Sequence, residues 1–123
     1  IAALRAARTP RERITGIIRA NFGQDQFRPA TISAWLTFYV KAQSNGPARR
    51  VLSVYARRLR SNLRHALAQI TDRDSAKRIA EGTSAMIDGL YLRHALLDSD
   101  PDREAAIRLT EDYVDAQLTA GTS

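Results

Sequence analysis

Two sets of side chains in the sequence could recognise a cation. Trp35, Phe38 and Tyr39 occupy positions i, i+3 and i+4, so on a helix they share one face. Asp88 and Tyr91 are three residues apart and also share a helical face. Aromatic faces beside a carboxylate bind alkylammonium cations, because the ring quadrupoles attract positive charge without hydrogen bonds. The spacing therefore makes a cation site one hypothesis for these residues.

A plainer interpretation of the same residues stays open, and the residues taken alone favour it. The aromatic side chains could simply belong to the hydrophobic core. An acid among the apolar neighbours of Asp88 needs a partner if it is buried, and an arginine or the start of a neighbouring helix could supply one.

Catalytic and metal chemistry find no candidates in the sequence. The two histidines, His65 and His94, lie on separate predicted helices and lack the spacing of a zinc site. There is no cysteine, which excludes disulfides and thiolate ligands. A glycine-rich phosphate loop and a nucleophile turn are also missing, and helix capping explains most carboxylates. We therefore predict no enzyme, no metal site and no cofactor.

The composition is that of one globular domain. The chain has 123 residues, of which 44% are hydrophobic and 26% charged, and its formal net charge is +6. No apolar run is long enough to cross a bilayer, and no signal peptide opens the sequence. These features predict a cytoplasmic protein without a membrane partner.

Proline, glycine and capping residues divide the chain into helices. Thr9-Pro10-Arg11-Glu12 is a capping box with proline at the first helical position. Thr71-Asp72 and Asp100-Pro101-Asp102 are further helix starts. No segment alternates as a strand does. The sequence predicts an all-α bundle of about five helices, near residues 10–21, 29–43, 47–69, 72–97 and 101–119.

The last two predicted helices carry more apolar positions than one buried face needs. On each of them the apolar residues spread over two neighbouring stripes, whereas a helix in a small monomer usually buries one. We favour a homodimer over a buried central helix in a monomer. The expected interface residues are Ile79, Met86, Leu90, His94, Leu97, Ala106, Leu109, Tyr113 and Ala116.

Arginines form a basic face on the third predicted helix. Arg50, Arg57 and Arg64 repeat every seven residues and Arg60 falls between them. Such a face could neutralise phosphates of a nucleic acid. However, a helix with one apolar stripe must carry polar residues opposite it, and no helix-turn-helix is readable here. Direct nucleic-acid binding is the weaker interpretation.

Three segments in order resemble one family. Residues 34–39, Ala-Trp-Leu-Thr-Phe-Tyr, residues 55–63, Tyr-Ala-Arg-Arg-Leu-Arg-Ser-Asn-Leu, and residues 87–93, Ile-Asp-Gly-Leu-Tyr-Leu-Arg, are similar to the C-terminal domain of TetR-family repressors. The resemblance is strongest to the choline-responsive branch that controls glycine-betaine synthesis genes. It runs from about Pro10 to Leu118.

The resemblance implies that separate domains of the protein bind DNA and bind the effector. Residues 1–8 would end a helix that links to an N-terminal DNA-binding domain outside these residues, and 9–123 would bind the effector and dimerise through the last two helices. Operator DNA would be bound only by that other domain, in a bacterial cytoplasm. The implied effector is choline. The expected ligand-binding residues are Trp35, Phe38, Tyr39, Tyr55, Asp88 and Tyr91.

Two alternatives remain open beside the choline sensor. The first is a TetR-type domain whose effector is apolar or aromatic, in which Asp88 has only a structural part. The second is a purely structural helical dimerisation module without a pocket, which predicts a packed interior near Trp35.

Overall fold

The described part of the chain folds into a bundle of five α-helices, as predicted. The computed structural model describes residues 9–23, 28–96 and 102–120, and no strand occurs within these ranges. The helices are α1 Pro10–Asn21, α2 Pro29–Ala42, α3 Gly46–Leu67, α4 Arg73–Leu96 and α5 Arg103–Ala120. Residues 1–8 and Leu97, for which the sequence made predictions, lie outside the described ranges.

Four of the five helices begin at a side-chain cap. Each capping oxygen accepts a hydrogen bond from the backbone N–H three residues further on, an interaction that stabilises a helix by about 1 kcal/mol. The caps are Thr9, Asn45, Asp72 and Asp102, with distances of 3.1, 2.9, 3.1 and 3.0 Å. Hydrogen bonds from the side chain and backbone of Ser75 also lower the pKa of Asp72. The helix α2 instead begins at Pro29 without a side-chain cap.

The hydrophobic core is built by α1, α3, α4 and α5. These four helices and Phe22, which directly follows α1, supply its fully buried large apolar side chains, namely Ile14, Ile18, Phe22, Leu63, Leu67, Ile79, Ile87, Ile107 and Val114. The helix α2 contributes only Ile32 and Ala42 to the buried residues. Because α2 packs on α3 and α4 without entering the core deeply, space remains between these three helices.

Polar contacts attach α1 to α5 at both of its ends. Arg11 forms ion pairs with Glu111 and Asp115 of α5, the second at 3.0 Å. At the other end, Arg103 donates a hydrogen bond to the carbonyl oxygen of Phe22. The position of α1 is therefore fixed along its length.

The helices α4 and α5 approach each other closely at Gly82. A Cβ atom placed on Gly82 would lie 1.8 Å from the hydroxyl oxygen of Tyr113. The missing side chain thus makes room for the tyrosine on the neighbouring helix.

None of the helices within residues 9–23, 28–96 and 102–120 is long and apolar enough to span a membrane.

Candidate functional site

The space between α2, α3 and α4 forms two adjoining cavities of about 40 and 230 Å³. Both are lined by Trp35, Tyr39, Asp88 and Tyr91. The structure therefore brings together four of the six side chains predicted to bind a ligand. Tyr55, the fifth, lines the smaller cavity.

Aromatic rings surround these cavities without belonging to the core. The ring of Trp35 lies 6.1 Å from that of Tyr39 and 5.6 Å from that of Tyr55, both in tilted arrangements. Tyr39 and Tyr55 are 42% and 46% exposed, and Trp35 is half-buried. Because core side chains do not cover these rings completely, their faces are available to a ligand. The plainer interpretation of the aromatics as core residues does not fit this exposure.

Phe38 does not line either cavity. Its ring meets the edge of Trp35 at 6.0 Å and 82°, and it borders a separate apolar depression with Thr31, Ala34 and Val51. The i, i+3 spacing correctly placed Phe38 beside Trp35, but Phe38 lines only this separate depression and not the space between the helices. Its predicted ligand contact remains a prediction without support from the cavity lining.

Asp88 has no close ionic partner in the described part of the chain. Among the described residues, no arginine or lysine lies within 4.0 Å of its carboxylate and no hydrogen bond reaches it. The alternatives that it pairs with an arginine or caps a neighbouring helix are thus not observed. The side chain keeps contact with solvent, yet its surroundings remove enough water to raise its pKa above the ordinary 3.8, while the more distant Arg60 acts in the opposite direction.

Tyr91 connects the cavities to the end of α1. Its hydroxyl donates a hydrogen bond to the carbonyl oxygen of Asn21, and its ring stacks on Phe22 with centroids 5.6 Å apart. Burial raises the pKa of Tyr91, so the phenol stays protonated and acts as a donor. Burial, with the charge of Asp88 nearby, also raises the pKa of Tyr39.

Several lining residues were missed from the sequence. Apolar side chains complete the walls, and Asn21 adds a polar group from α1. On α2 a signal was available, because Ile32, Leu36 and Tyr39 follow helical spacing towards the same side. Asn21 lies 70 residues from its partner Tyr91, and no local pattern joins them. The missed residues are Asn21, Ile32, Leu36, Leu59, Ile87 and Leu92.

The residues predicted to contact a second copy fall into two groups. Ile79, Leu90 and Ala106 are buried in the core of this chain, with exposures of 1%, 6% and 1%. Such buried side chains can pack beneath interface residues, but they have little surface of their own for contact with a second copy. Leu109 is 47% exposed and Ala116 is exposed on the same helix.

The remaining predicted contacts are intermediate. Met86 and Tyr113 are partly buried against the core. His94 is half-buried, and its Nδ1 atom lies 2.8 Å from the carbonyl oxygen of Leu90. Leu96, near the end of α4, is 74% exposed. The outward side of α4 and α5 thus keeps an apolar part, and the interface itself stays a prediction.

No group of acids and histidines within the described ranges could hold a metal ion.

Comparisons with known proteins find one family that matches most of the chain. Residues 10–119 match the family described as BetI-type transcriptional repressor, C-terminal. The HTH-type transcriptional regulator BetI of Brucella melitensis biotype 2 (strain ATCC 23457) is 56% identical over 122 residues, which are 99% of this chain and 62% of that protein. The protein of the same name from Rhizobium meliloti (strain 1021) is 53% identical over 120 residues, 98% of this chain and 59% of that protein.

A third relative extends the same picture. The HTH-type transcriptional regulator BetI of Brucella anthropi (strain ATCC 49188) is 57% identical over 117 residues, covering 95% of this chain and 60% of that protein. The chain therefore spans about three fifths of the length of the curated relatives it matches. No solved structure shows significant similarity to it.

Proposed function

Because this chain belongs to the family of BetI-type transcriptional repressor C-terminal domains, we propose that it is the effector-sensing and dimerisation domain of a bacterial TetR-type repressor. The family is one of regulators and not of enzymes, in agreement with the sequence analysis. We further propose that the effector is choline or a related quaternary ammonium compound. The whole protein would then control glycine-betaine synthesis genes in the bacterial cytoplasm.

The observation that carries the effector proposal is an unpaired carboxylate among aromatic rings. Asp88 lines the same cavities as Trp35, Tyr39 and Tyr91 and lacks an ionic partner among the described residues. A quaternary ammonium group has no N–H to donate, so it binds through its charge and its methyl surface. Ring faces satisfy both needs, and each contributes about 0.5–2 kcal/mol to binding of a cation.

We also propose where the whole regulator contacts a second copy and DNA. The apolar outward side of α4 and α5, with Leu96, Leu109 and Ala116, would pack against a second copy. Operator DNA would bind to an N-terminal domain outside these residues. Effector binding would then favour one arrangement of the helices over another and so change the spacing of the two DNA-binding domains.

A second candidate is an apolar or aromatic effector. It is favoured by the walls of the larger cavity, where Ile32, Leu36 and Leu92 add apolar surface to the rings. The structural module without a pocket is less well supported, because its expected packed interior near Trp35 is absent from the described part of the chain.

Calorimetric titration of the chain with choline and its uncharged carbon isostere, 3,3-dimethylbutan-1-ol, distinguishes these candidates. The two ligands match in shape and differ in charge. We expect choline to bind at least about tenfold more tightly, which corresponds to about 1.4 kcal/mol from charge alone. Equal affinities would favour the apolar effector, and a chain that binds neither ligand would favour the structural module.

Replacing Asp88 with asparagine should remove this preference for charge. We expect Asp88→Asn to weaken choline binding about tenfold, because the cation loses its only nearby carboxylate in the cavity lining, and to leave the neutral isostere unchanged. Titration of both ligands measures this. Asp112→Asn is a matched control, since Asp112 is exposed on α5 outside both cavities. An equal loss in both variants would contradict the assignment.

The same carboxylate predicts a pH dependence of binding. Choline is permanently charged, so any titration belongs to the protein. Since burial raises the pKa of Asp88, its charge is lost on acidification before that of an ordinary aspartate. The affinity should be constant at high pH, fall as the pH drops through that raised pKa, and level off about tenfold weaker, at the affinity expected of Asp88→Asn.

Titrations from pH 7.5 down to the lowest pH at which circular dichroism shows a folded chain would measure this dependence. Asp88→Asn should give a flat profile over the same range. A wild-type profile as flat as that of the variant would assign Asp88 no contact with the cation.

A further inference from the structure

A groove between α3 and α4, away from the aromatic cavities, is strongly basic. Two adjoining depressions, the first of about 290 Å³, share Ser61, Arg64 and Lys77. We call this surface the basic groove and define it by Arg57, Arg60, Ser61, Arg64, Arg73 and Lys77. It contains most of the arginine face that the sequence showed and that the proposed sensing function does not use.

Within the described part of the chain, acidic residues balance only some of the charges of the basic groove. Its two acidic neighbours are Glu81 and Asp74. Glu81 lies 3.5 Å from Arg60 and so is already paired. Within residues 9–23, 28–96 and 102–120, no carboxylate lies within 4.0 Å of the other four cations, Arg57, Arg64, Arg73 and Lys77.

The spacing of these cations is unfavourable for the helices themselves. Arg60 and Arg64 are four residues apart on α3, and Arg73 and Lys77 are four apart on α4. Like charges at this spacing destabilise a helix, whereas alternating acids and bases would stabilise it. On α4, Asp74 and Glu81 lie three and four residues from Lys77 and offset part of this repulsion, whereas α3 carries no acid. The repulsion is relieved if an anion occupies the groove.

We propose that the basic groove binds a small multivalent phosphate anion. Guanidinium groups match phosphate oxygens with paired N–H donors, and Ser61 adds a hydroxyl between Arg57 and Arg64. Arg57 and Arg64 are separated by about 10 Å along α3 and Arg73 and Lys77 by about 6 Å along α4, from the helical rise. This compact, concave arrangement suits a di- or triphosphate better than the long convex backbone of a DNA duplex.

The test is calorimetric titration of the chain with sodium triphosphate at low ionic strength. We expect one site per chain and an affinity that falls as salt is added. The double variant Arg64→Gln/Lys77→Gln should bind at least tenfold more weakly. Both residues are exposed and form no ion pair with another described residue, so the variant should keep its melting temperature. Arg108→Gln, an exposed arginine on α5, should bind as the wild type does.

Three results would overturn the proposal. The first is the absence of saturable binding, and the second is equal binding by the wild type and the double variant. The third is tighter binding of a 20-base-pair DNA duplex than of triphosphate, abolished by the same double variant, which would assign the groove to a nucleic-acid backbone. Choline affinity of the double variant serves as an independent readout, because the groove and the aromatic cavities share no lining residue.

Discussion

Replacing Gly82 with alanine should lower the free energy of unfolding by about 1–3 kcal/mol, although alanine is the better helix former. The added Cβ would lie 1.8 Å from the hydroxyl oxygen of Tyr113 and 2.7 Å from its Cζ atom. No rotation about the bonds of Gly82 can relieve this overlap, because Cβ is fixed by the backbone. Either Tyr113 must leave its packed position or α4 and α5 must move apart, and both lose buried contact.

Gly89→Ala is the matched control in the same helix. Beyond its two neighbours and the nearby backbone of its own helix, no described atom lies within 4 Å of a Cβ at Gly89. The substitution should therefore raise the free energy of unfolding by about 0.5–1 kcal/mol through helix propensity alone. Urea denaturation followed by circular dichroism measures both variants. Tyr113→Leu combined with Gly82→Ala should recover part of the loss, and equal stabilities of the two alanine variants would refute the close contact.

Replacing Trp35 with alanine should weaken choline binding by about 30- to 100-fold, the largest effect we expect on the proposed effector site. Trp35 lines both cavities and contacts the rings of Tyr39 and Tyr55. Its removal takes away one aromatic face and also the neighbour that orients two others. The fold should survive, because Trp35 is not part of the buried core.

Phe38→Ala separates a ligand contact from a general effect on α2. Phe38 touches the edge of Trp35 from outside the cavities, so its removal should change choline affinity by less than about threefold. Titration of both variants, with thermal denaturation as a check on folding, decides the matter. If Phe38→Ala lost as much affinity as Trp35→Ala, the cation would have to bind on the other side of the tryptophan.

The helix starts could be predicted from the sequence because their causes are local. Asp72 and Asp102 cap helices through the backbone N–H three residues further on, so a short stretch of sequence contains the whole interaction. The face shared by Trp35 and Tyr39 could be predicted for the same reason, since helical spacing fixes which side chains are neighbours.

The burial of apolar residues and the contacts between distant segments could not be predicted. They depend on which helix covers which face, and helical periodicity does not contain that information. Leu90 and Leu109 are both apolar positions of broad helical stripes, yet Leu90 is 6% exposed and Leu109 is 47% exposed. The bond between Tyr91 and Asn21 and the fit of Tyr113 over Gly82 also join distant segments. Such contacts follow from the packing angles of whole helices, which local sequence does not specify.

The attachments of α1 have a mechanical consequence. A helix of 12 residues is a stiff strut about 18 Å long. Its C-terminal end contacts the cavity wall through the hydrogen bond from Tyr91 to Asn21. Its N-terminal end is held on α5 by the ion pairs of Arg11. The cavity wall at Tyr91 is therefore joined to α5 through α1 at two points, Arg103 beside Phe22 and Glu111 at the far end, and neither is the contact between Gly82 and Tyr113. We expect α1 and α5 to move as one unit when a ligand displaces the cavity wall.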